Sequence, residues 1–349
     1  MKFVFLCTQP AAYLFDSIDL LGEQNEVIVV HYKISETAPF NIEKYKNFTL
    51  IEFDIAINYI PSILSFNPDV IVCAGWSNPK YLNISKYFKR LGKMTVLSAD
   101  NPVSTDVIKT IGTFFFGFYI RYHFTHSWVP GRKQYEFMKK IGFNHNRIIL
   151  DLYTANNVLF NNDKSNLQRF NESTKTLIFI GRLVEYKGIQ IIYEAFNEIS
   201  NFTSINWKLE IIGNGDLKET LIPNEKIYVY DFLQPEEIKR KMTSAHAFIL
   251  ASTIENWGVA VHEAAHCGLP LLLSENVGAA ERFLINNHNG FYHRPFDYSS
   301  LKRSLQDLFD LNNEELIEMS LNSSRLAQRI TIQDWISQIM GAANYYYKN

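Results

Sequence analysis

The sequence has three cysteines in 349 residues, Cys7, Cys73 and Cys267. So sparse and odd a set offers no disulfide framework and points to reduced thiols in a cytoplasmic setting. No stretch approaches the roughly 20 apolar residues that a membrane helix needs. The first six residues carry one lysine and a four-residue apolar run. That is too short for a signal peptide and suits a first buried strand. Net charge is nearly absent, since 34 Lys and Arg face 36 Asp and Glu. The whole chain is therefore not a nucleic-acid binder by charge. It also lacks a convincing Asp-x-Asp pair, so no metal site is expected and a divalent ion is expected to be dispensable.

What is there is a globular pattern, 47% apolar and 20% charged, in a chain long enough for two domains. Strand-like segments at 2–7, 26–32, 69–73 and 94–98 alternate with helix-like ones at 12–21, 61–66 and 81–91. Such alternation predicts a parallel sheet with crossover helices. The Asn-rich stretch 160–173 reads as an inter-domain linker. A second series follows, with strands at 176–180, 207–212, 226–230, 247–251 and 271–274 and helices at 188–199, 236–245 and 259–267. Each series reads as a doubly wound α/β unit, and such units bind ligands outside the strand carboxyl ends. The tail, 301–348, has a helical pattern in which Trp335, Ile336 and Ile339 form one apolar face.

Three segments carry chemistry. In the first, a buried strand ends near residue 251, Glu255 sits in a turn, and a helix starts near Gly258. A helix N-terminus offers N–H groups and the positive end of a dipole to an anion. Glu263 lies in that helix, eight positions after Glu255, so two carboxylates frame a phosphate pole. In the second, Gly181 permits a turn after a strand, and Arg182 and Lys187 flank the next helix start. Arg can clamp phosphate oxygens and Lys supplies a point charge. In the third, Gly213-Asn214-Gly215 reads by itself as a tight turn.

Their order is Gly181-Arg182, Lys187-Gly188, Gly213-Asn214-Gly215, Glu255 and Glu263, Gly268-Leu269-Pro270 and Gly278-Ala279-Ala280-Glu281. This order resembles the C-terminal domain of retaining GT-B glycosyltransferases of family four, over about residues 175–297. The resemblance implies two Rossmann-like domains facing a central cleft. It also implies a nucleotide diphosphate sugar as donor, UDP-sugar ahead of GDP-sugar, and no cofactor. By the same resemblance Arg182 and Lys187 hold the diphosphate, beside Gly181 and Gly213. Glu263 binds the ribose and Glu255 the sugar. The backbone of Asn256, Trp257, Gly258 and Val259 meets phosphate and sugar, and the base rests near Tyr230 and Phe232. The implied partner is a glycan or lipid-linked glycan acceptor, of the kind used in bacterial surface polysaccharide assembly. Expected domains are 1–165 for the acceptor, 166–325 for the donor, and a helix at 326–349 that packs back on the first.

The first half departs from the family pattern. The loop Thr8-Gln9-Pro10-Ala11-Ala12 has no glycine, and Asp100 stands in Ser98-Ala99-Asp100-Asn101-Pro102 where many members have a histidine. Asp100 is read as lining the acceptor site, against an equal reading as a turn or cap residue.

Two features compete with this picture. His262-Glu263-Ala264-Ala265-His266 matches the zinc metalloprotease signature. The helix stops almost at once, at Gly268-Leu269-Pro270, and the metzincin continuation is absent, so packing is preferred. The aromatic run 113–122 reads either as a buried helix or as a surface that dips into a membrane interface. The basic groups Lys86, Lys89, Arg90, Lys93 and Arg132, Lys133, Lys139, Lys140 would aid the second reading. Burial is preferred, which leaves peripheral contact with the inner face of the cell membrane as the alternative. Alternatives to a sugar transferase are a sugar-nucleotide epimerase on the same fold or a non-catalytic nucleotide-sugar binding module.

Overall fold

A computed structural model describes residues 1–348 except 9, 35–38, 54–59, 102–109 and 162–163, with the side chains of 110–114 and 164–166 also outside the description. The fold has two compact units, residues 1–154 with 330–349, and residues 155–329.

Unit 1 holds the parallel strands β1 (Lys2–Cys7), β2 (Glu26–His31), β3 (Thr49–Glu52), β4 (Val70–Ala74), β5 (Met94–Ser98), β6 (His126–Trp128) and β7 (Ile148–Ile149), in the order β3-β2-β1-β4-β5-β6-β7. Phe3, Val4, Phe5 and Leu6 of β1 are all buried, as expected of a strand covered on both faces. The helices are α1 (Ala12–Gly22), α2 (Ile60–Phe66), α3 (Pro79–Arg90), α4 (Thr110–His123) and α5 (Arg132–Lys140). Local chemistry sets their ends. The Asn78 side chain accepts from the Lys80 and Tyr81 amides at 3.0 and 3.3 Å, Pro79 opens α3, and Lys89 and Arg90 close it.

Unit 2 holds β8 (Lys175–Ile180), β9 (Trp207–Ile212), β10 (Ile227–Tyr230), β11 (Ala247–Leu250), β12 (Leu271–Ser274) and β13 (Gly290–His293), in the order β10-β9-β8-β11-β12-β13, again all parallel. Its helices are α6 (Ile189–Phe202), α7 (Pro235–Ser244), α8 (Val259–His266), α9 (Ala280–Phe283), α10 (Tyr298–Phe309) and α11 (Asn313–Ala327). The helical tail is thus three helices, and the third, α12 (Ile332–Lys348), belongs to unit 1. There the Trp335 indole donates to the Leu152 carbonyl at 2.8 Å and lies 4.6 Å from the Trp128 ring.

Three expectations need correction. The described part of the stretch 160–173, which leaves out 162–163, is not a linker. Phe160 and Phe170 are buried in unit 2, and the buried Arg169 donates to the carbonyls of Thr243, Cys267 and Gly268 at 2.9–3.1 Å. Those acceptors lie at the carboxyl ends of α7 and α8, where a cation is favoured. The unit boundary falls at 154/155 rather than 165/166, and the second at 329/330 rather than 325/326. Among its described side chains, 115–122, the aromatic run is only half buried. Ile120 is buried and Phe116 packs on Trp76 and Phe137, whereas Phe115 is 68% and Phe118 64% exposed, with Tyr119 and Tyr122 exposed on the same helical face.

Candidate active site

In unit 2 the chain runs outward from β8 through β9 to β10, then returns to β11 on the other side of β8. The strand order reverses between β8 and β11, and the two loops leaving their carboxyl ends are side by side at this switch point. These are the loops that carry Arg182, Lys187 and Glu255.

Backbone contacts bind the loops together. The Thr253 amide donates to the Tyr186 carbonyl at 2.9 Å. Gly188 takes φ +69°, and a Cβ there would stand 2.2 Å from the Ala251 carbonyl oxygen. Only glycine allows both the turn and the approach. Across this seam the Lys187 ammonium donates to the Glu255 carboxylate, and the two side chains are 15% and 12% exposed. Ser252 Oγ lies 3.4 Å from the same carboxylate. Arg182 is exposed, donates to the Tyr186 hydroxyl, and lies 5.5 Å from that ring's centre. The structure thus joins Lys187 to Glu255 and stations Arg182 on the same loop.

The third segment packs against the second. The Leu183 amide donates to the Asn214 carbonyl at 2.9 Å, and the Gly213 amide to the Tyr230 carbonyl at 3.1 Å. Gly213 has φ +149°, and a Cβ would fall 1.9 Å from the Gly181 carbonyl oxygen. Gly213→Ala must therefore push apart the turns after β8 and β9. Loss of about 3 kcal/mol or more of unit 2 stability is expected, at the high end for single substitutions. A chemical denaturation midpoint equal to that of the unchanged protein would show that the two turns are not packed in this way. Tyr230 ends β10, and the Lys241 ammonium stands 3.7 Å from its ring centre while pairing with Glu210 at 2.9 Å. Phe232, two residues on, is half-buried.

The Glu255 turn is also held from its far side. The Gly278 amide donates to the Glu255 carbonyl at 3.0 Å and the Ala279 amide to the Trp257 carbonyl at 2.8 Å. The Asn276 side chain donates to the Thr253 carbonyl at 2.7 Å. Gly258 is the N-cap of α8 with φ +95°, Val259 is its first residue, and Glu263 is partly buried further along it. The Trp257 ring is buried, edge-on to Phe283, so it is its backbone that stays with the loop. Ser252, Tyr186 and Asn276 were not foreseen from sequence. Each acts on a backbone or side chain that is remote in the chain or generic in type.

The zinc signature dissolves on inspection. His262 is fully buried, its Nδ1 accepts from the Ala155 amide at 3.0 Å and its Nε2 donates to the Ala327 carbonyl at 3.0 Å. With both ring nitrogens engaged, no lone pair remains for a metal. The ring stacks on Phe283 at 4.0 Å, and burial pushes its pKa well below the usual histidine value. Among the described residues no three His, Cys, Asp or Glu side chains form a group able to hold a metal ion. Asp100 belongs to unit 1, where it lines a cavity at the ends of β1, β4 and β5. No described helix is long and apolar enough to cross a membrane.

Residues 161–323 match the family model described as glycosyl transferases group 1. An uncharacterised glycosyltransferase of Methanocaldococcus jannaschii is 27% identical over 137 residues, which are 37% of this chain and 34% of that protein. The chain thus spans about a third of the length of this curated relative. Among solved structures, HepE of Anabaena in complex with UDP and glucose aligns with TM-score 0.72 at 14% identity, over 99% of this chain and all of that one. Sucrose-phosphate synthase from Thermosynechococcus elongatus aligns with TM-score 0.75 at 14% identity, over 100% and 99% of the two chains. At such identities the likeness speaks to fold. Residues 161–323 are a glycosyl transferases group 1 domain, and the chain has the two-unit α/β fold of the GT-B glycosyltransferases.

Proposed function

We propose that the protein transfers a sugar from a nucleotide diphosphate sugar, with UDP-sugar preferred, to an acceptor hydroxyl with retention of configuration. The observation that carries this reading is the gathering of Arg182, Lys187 and Glu255 at the switch point of a group 1 domain, beside the N-terminus of α8. When the bond from sugar to diphosphate breaks, negative charge grows on the leaving phosphate. Arg182, Lys187 and the α8 amides stabilise that charge, and fixed donors of this kind supply the largest single share of many rate enhancements. Glu255 faces the sugar and Glu263 the ribose. The UDP and glucose found in the Anabaena neighbour support the choice of donor. Charge stabilisation by two cations also leaves no task that requires a divalent ion.

Saturating UDP with EDTA present should raise the melting temperature of unit 2, because a ligand that binds only the folded state stabilises it. An unmoved transition with UDP, GDP and their sugars alike would remove the basis of the proposal.

The reading extends to a lipid-linked acceptor in surface glycan assembly, reached by peripheral contact with an anionic membrane. Its support is the exposed face of α4, with Phe115, Phe118, Tyr119 and Tyr122. Lys86 lies 4.5 Å from the Tyr122 ring centre, and Arg90 donates to its hydroxyl at 2.9 Å. Neither α3 nor α4 contains an acidic residue. Burying two phenylalanines is worth about 2 kcal/mol each, and each nearby cation adds about 1 kcal/mol at an anionic surface. In low salt the protein should float with vesicles containing phosphatidylglycerol, and Phe115→Ser with Phe118→Ser should cut binding at least tenfold. Equal flotation of the double variant would sink the membrane contact and leave the transfer reaction untouched.

A further inference from the structure

At the opposite end of the unit 1 sheet from Asp100, five cations gather. Helix α3 leads into β5, α4 leads into β6, and Arg147 stands directly before β7, so all three meet at the amino ends of these strands. Lys86, Lys89 and Arg90 come from α3, and Arg121 from the last turn of α4. The Lys89 ammonium donates to the Arg121 carbonyl, and the Arg121 guanidinium to the Ile141 carbonyl. Lys86 and Arg90 converge on Tyr122. Both hydrogen-bond to its hydroxyl, Arg90 at 2.9 Å, and together they hold its pKa below the ordinary tyrosine value.

This charge has no carboxylate to answer it. Among the described residues none of the five cations pairs with Asp or Glu. Neither helix contains an acid, and the nearby Asp69 carboxylate is engaged by the Lys2 amide at 2.9 Å and by Lys93 at 3.6 Å. Arg121 and Tyr122 close α4, about 18 Å along its axis from its first residue. The negative ends of two helix dipoles amount to about half a charge each, which offsets about one cation of the five. Lys89 is half-buried in this company. Burial, then Arg147 and Arg121, push its pKa below the ordinary lysine value. Repulsion among close like charges is relieved by an anion, and most by one that carries more than a single charge.

The donors suit one kind of anion. The Tyr122 oxygen accepts from two cations, which leaves its own proton for a third partner. Arg90 offers a planar fork and Lys86 a point charge. A phosphomonoester presents close to two negative charges and three terminal oxygens, whereas a diester presents one charge and two such oxygens. We propose that Lys86, Arg90 and Tyr122 clamp a phosphomonoester, and that Lys89, Arg121 and Arg147 supply the field that favours its dianion. The ester is either a free metabolite or a lipid headgroup. A lipid would lie along the exposed Phe118 and Phe115, which are roughly 6 and 10 Å from Tyr122 along the helix. The site stands apart from the donor loops, and the inference does not rest on the transferase reading.

Phosphorus NMR titration of the full chain with methyl phosphate and dimethyl phosphate tests it, with saturating UDP present to occupy the donor loops. Methyl phosphate should bind at least tenfold more tightly than dimethyl phosphate. Lys86→Gln with Arg90→Gln should weaken the monoester at least tenfold, and Tyr122→Phe at least threefold, with little change for the diester. Should the double variant melt early, Tyr122→Phe, which keeps the ring, carries the test. A second arm compares flotation with vesicles of phosphatidic acid and of phosphatidylglycerol at matched surface charge. A preference for phosphatidic acid of at least fivefold that the variants erase identifies a lipid headgroup. A monoester preference in the NMR arm alone identifies a free ester. The proposal is overturned if neither arm shows a monoester preference that the variants remove. Equal flotation with both lipids leaves the membrane contact of α4 untouched, and a missing UDP-induced melting shift would overturn the donor reading without touching this site.

Discussion

Lys187→Ala is expected to lower kcat for sugar transfer by at least a hundredfold. Removing one preorganised donor from developing charge costs about 10²–10³ in rate, and Lys187 is the half-buried cation at the switch point of unit 2. The same change has a second effect that must be separated from the first. It strands the Glu255 carboxylate, 12% exposed, without its cation, and breaking such a pair costs more than the pair itself contributes. Lys187→Ala should therefore also lower the melting temperature. Adding Glu255→Gln to it removes the stranded charge, so the double variant should recover stability without recovering transfer. Arg182 is exposed, so Arg182→Ala should cost activity with little change in melting. Near-normal transfer in both single variants would sink the proposed donor site. So would recovery of activity together with stability in the double variant.

Acidification to pH 5 should make unit 2 melt at a clearly lower temperature than at neutral pH. His246 and His262 are fully buried clips. His246 accepts from the Thr176 amide at 3.0 Å and donates to the Arg169 carbonyl at 2.8 Å, so it too has both ring nitrogens engaged. Burial pushes its pKa down to about 4 and that of His262 well below the ordinary value. In the unfolded chain both imidazoles protonate near pH 6.5. Between 6.5 and the folded values the unfolded state binds more protons, so stability falls as the pH falls. Each group costs about 1.4 kcal/mol per pH unit. At pH 5 His246 by itself removes about 2 kcal/mol, and His262 acts with the same sign, against a typical domain stability of about 5–15 kcal/mol. His126, also pushed down to about 4, acts with the same sign in unit 1. Melting curves recorded between pH 7 and pH 5 read this directly. A transition that does not move over that range would show that these histidines are not held neutral.

The donor loops were legible in the sequence because each is announced locally. A buried apolar strand runs into a glycine, and a cation or carboxylate stands within a few residues. Strands β8, β9, β11 and β12 fall within a residue of their expected bounds for the same reason. What brings Lys187 to Glu255 was not legible, since 68 residues separate them and only the sheet order unites them. Strands β3, β6, β7 and β13 were missed; β6 and β7 are only three and two residues long, and β6 reads His-Ser-Trp. The Asn-rich stretch misled because composition does not reveal that one arginine finds three carbonyls. Among the described side chains both faces of α4 carry large apolar groups, Phe116 and Ile120 inside and Phe115 and Phe118 outside, so a 3.6-residue period has little contrast from which to tell inside from outside.

The Trp335 contact with Leu152 and Trp128 bears on the order in which the chain matures. A ribosome delivers every residue of unit 2 before it delivers α12. Unit 2 can bury its core while still tethered, but unit 1 waits, although most of it emerged first. Until Trp335 arrives, Trp128 lies under a missing lid and the nearby cavity lacks one wall. The half of the protein translated earliest is thus the half completed last, and its aromatic interior is the surface that a nascent-chain chaperone would have to shield.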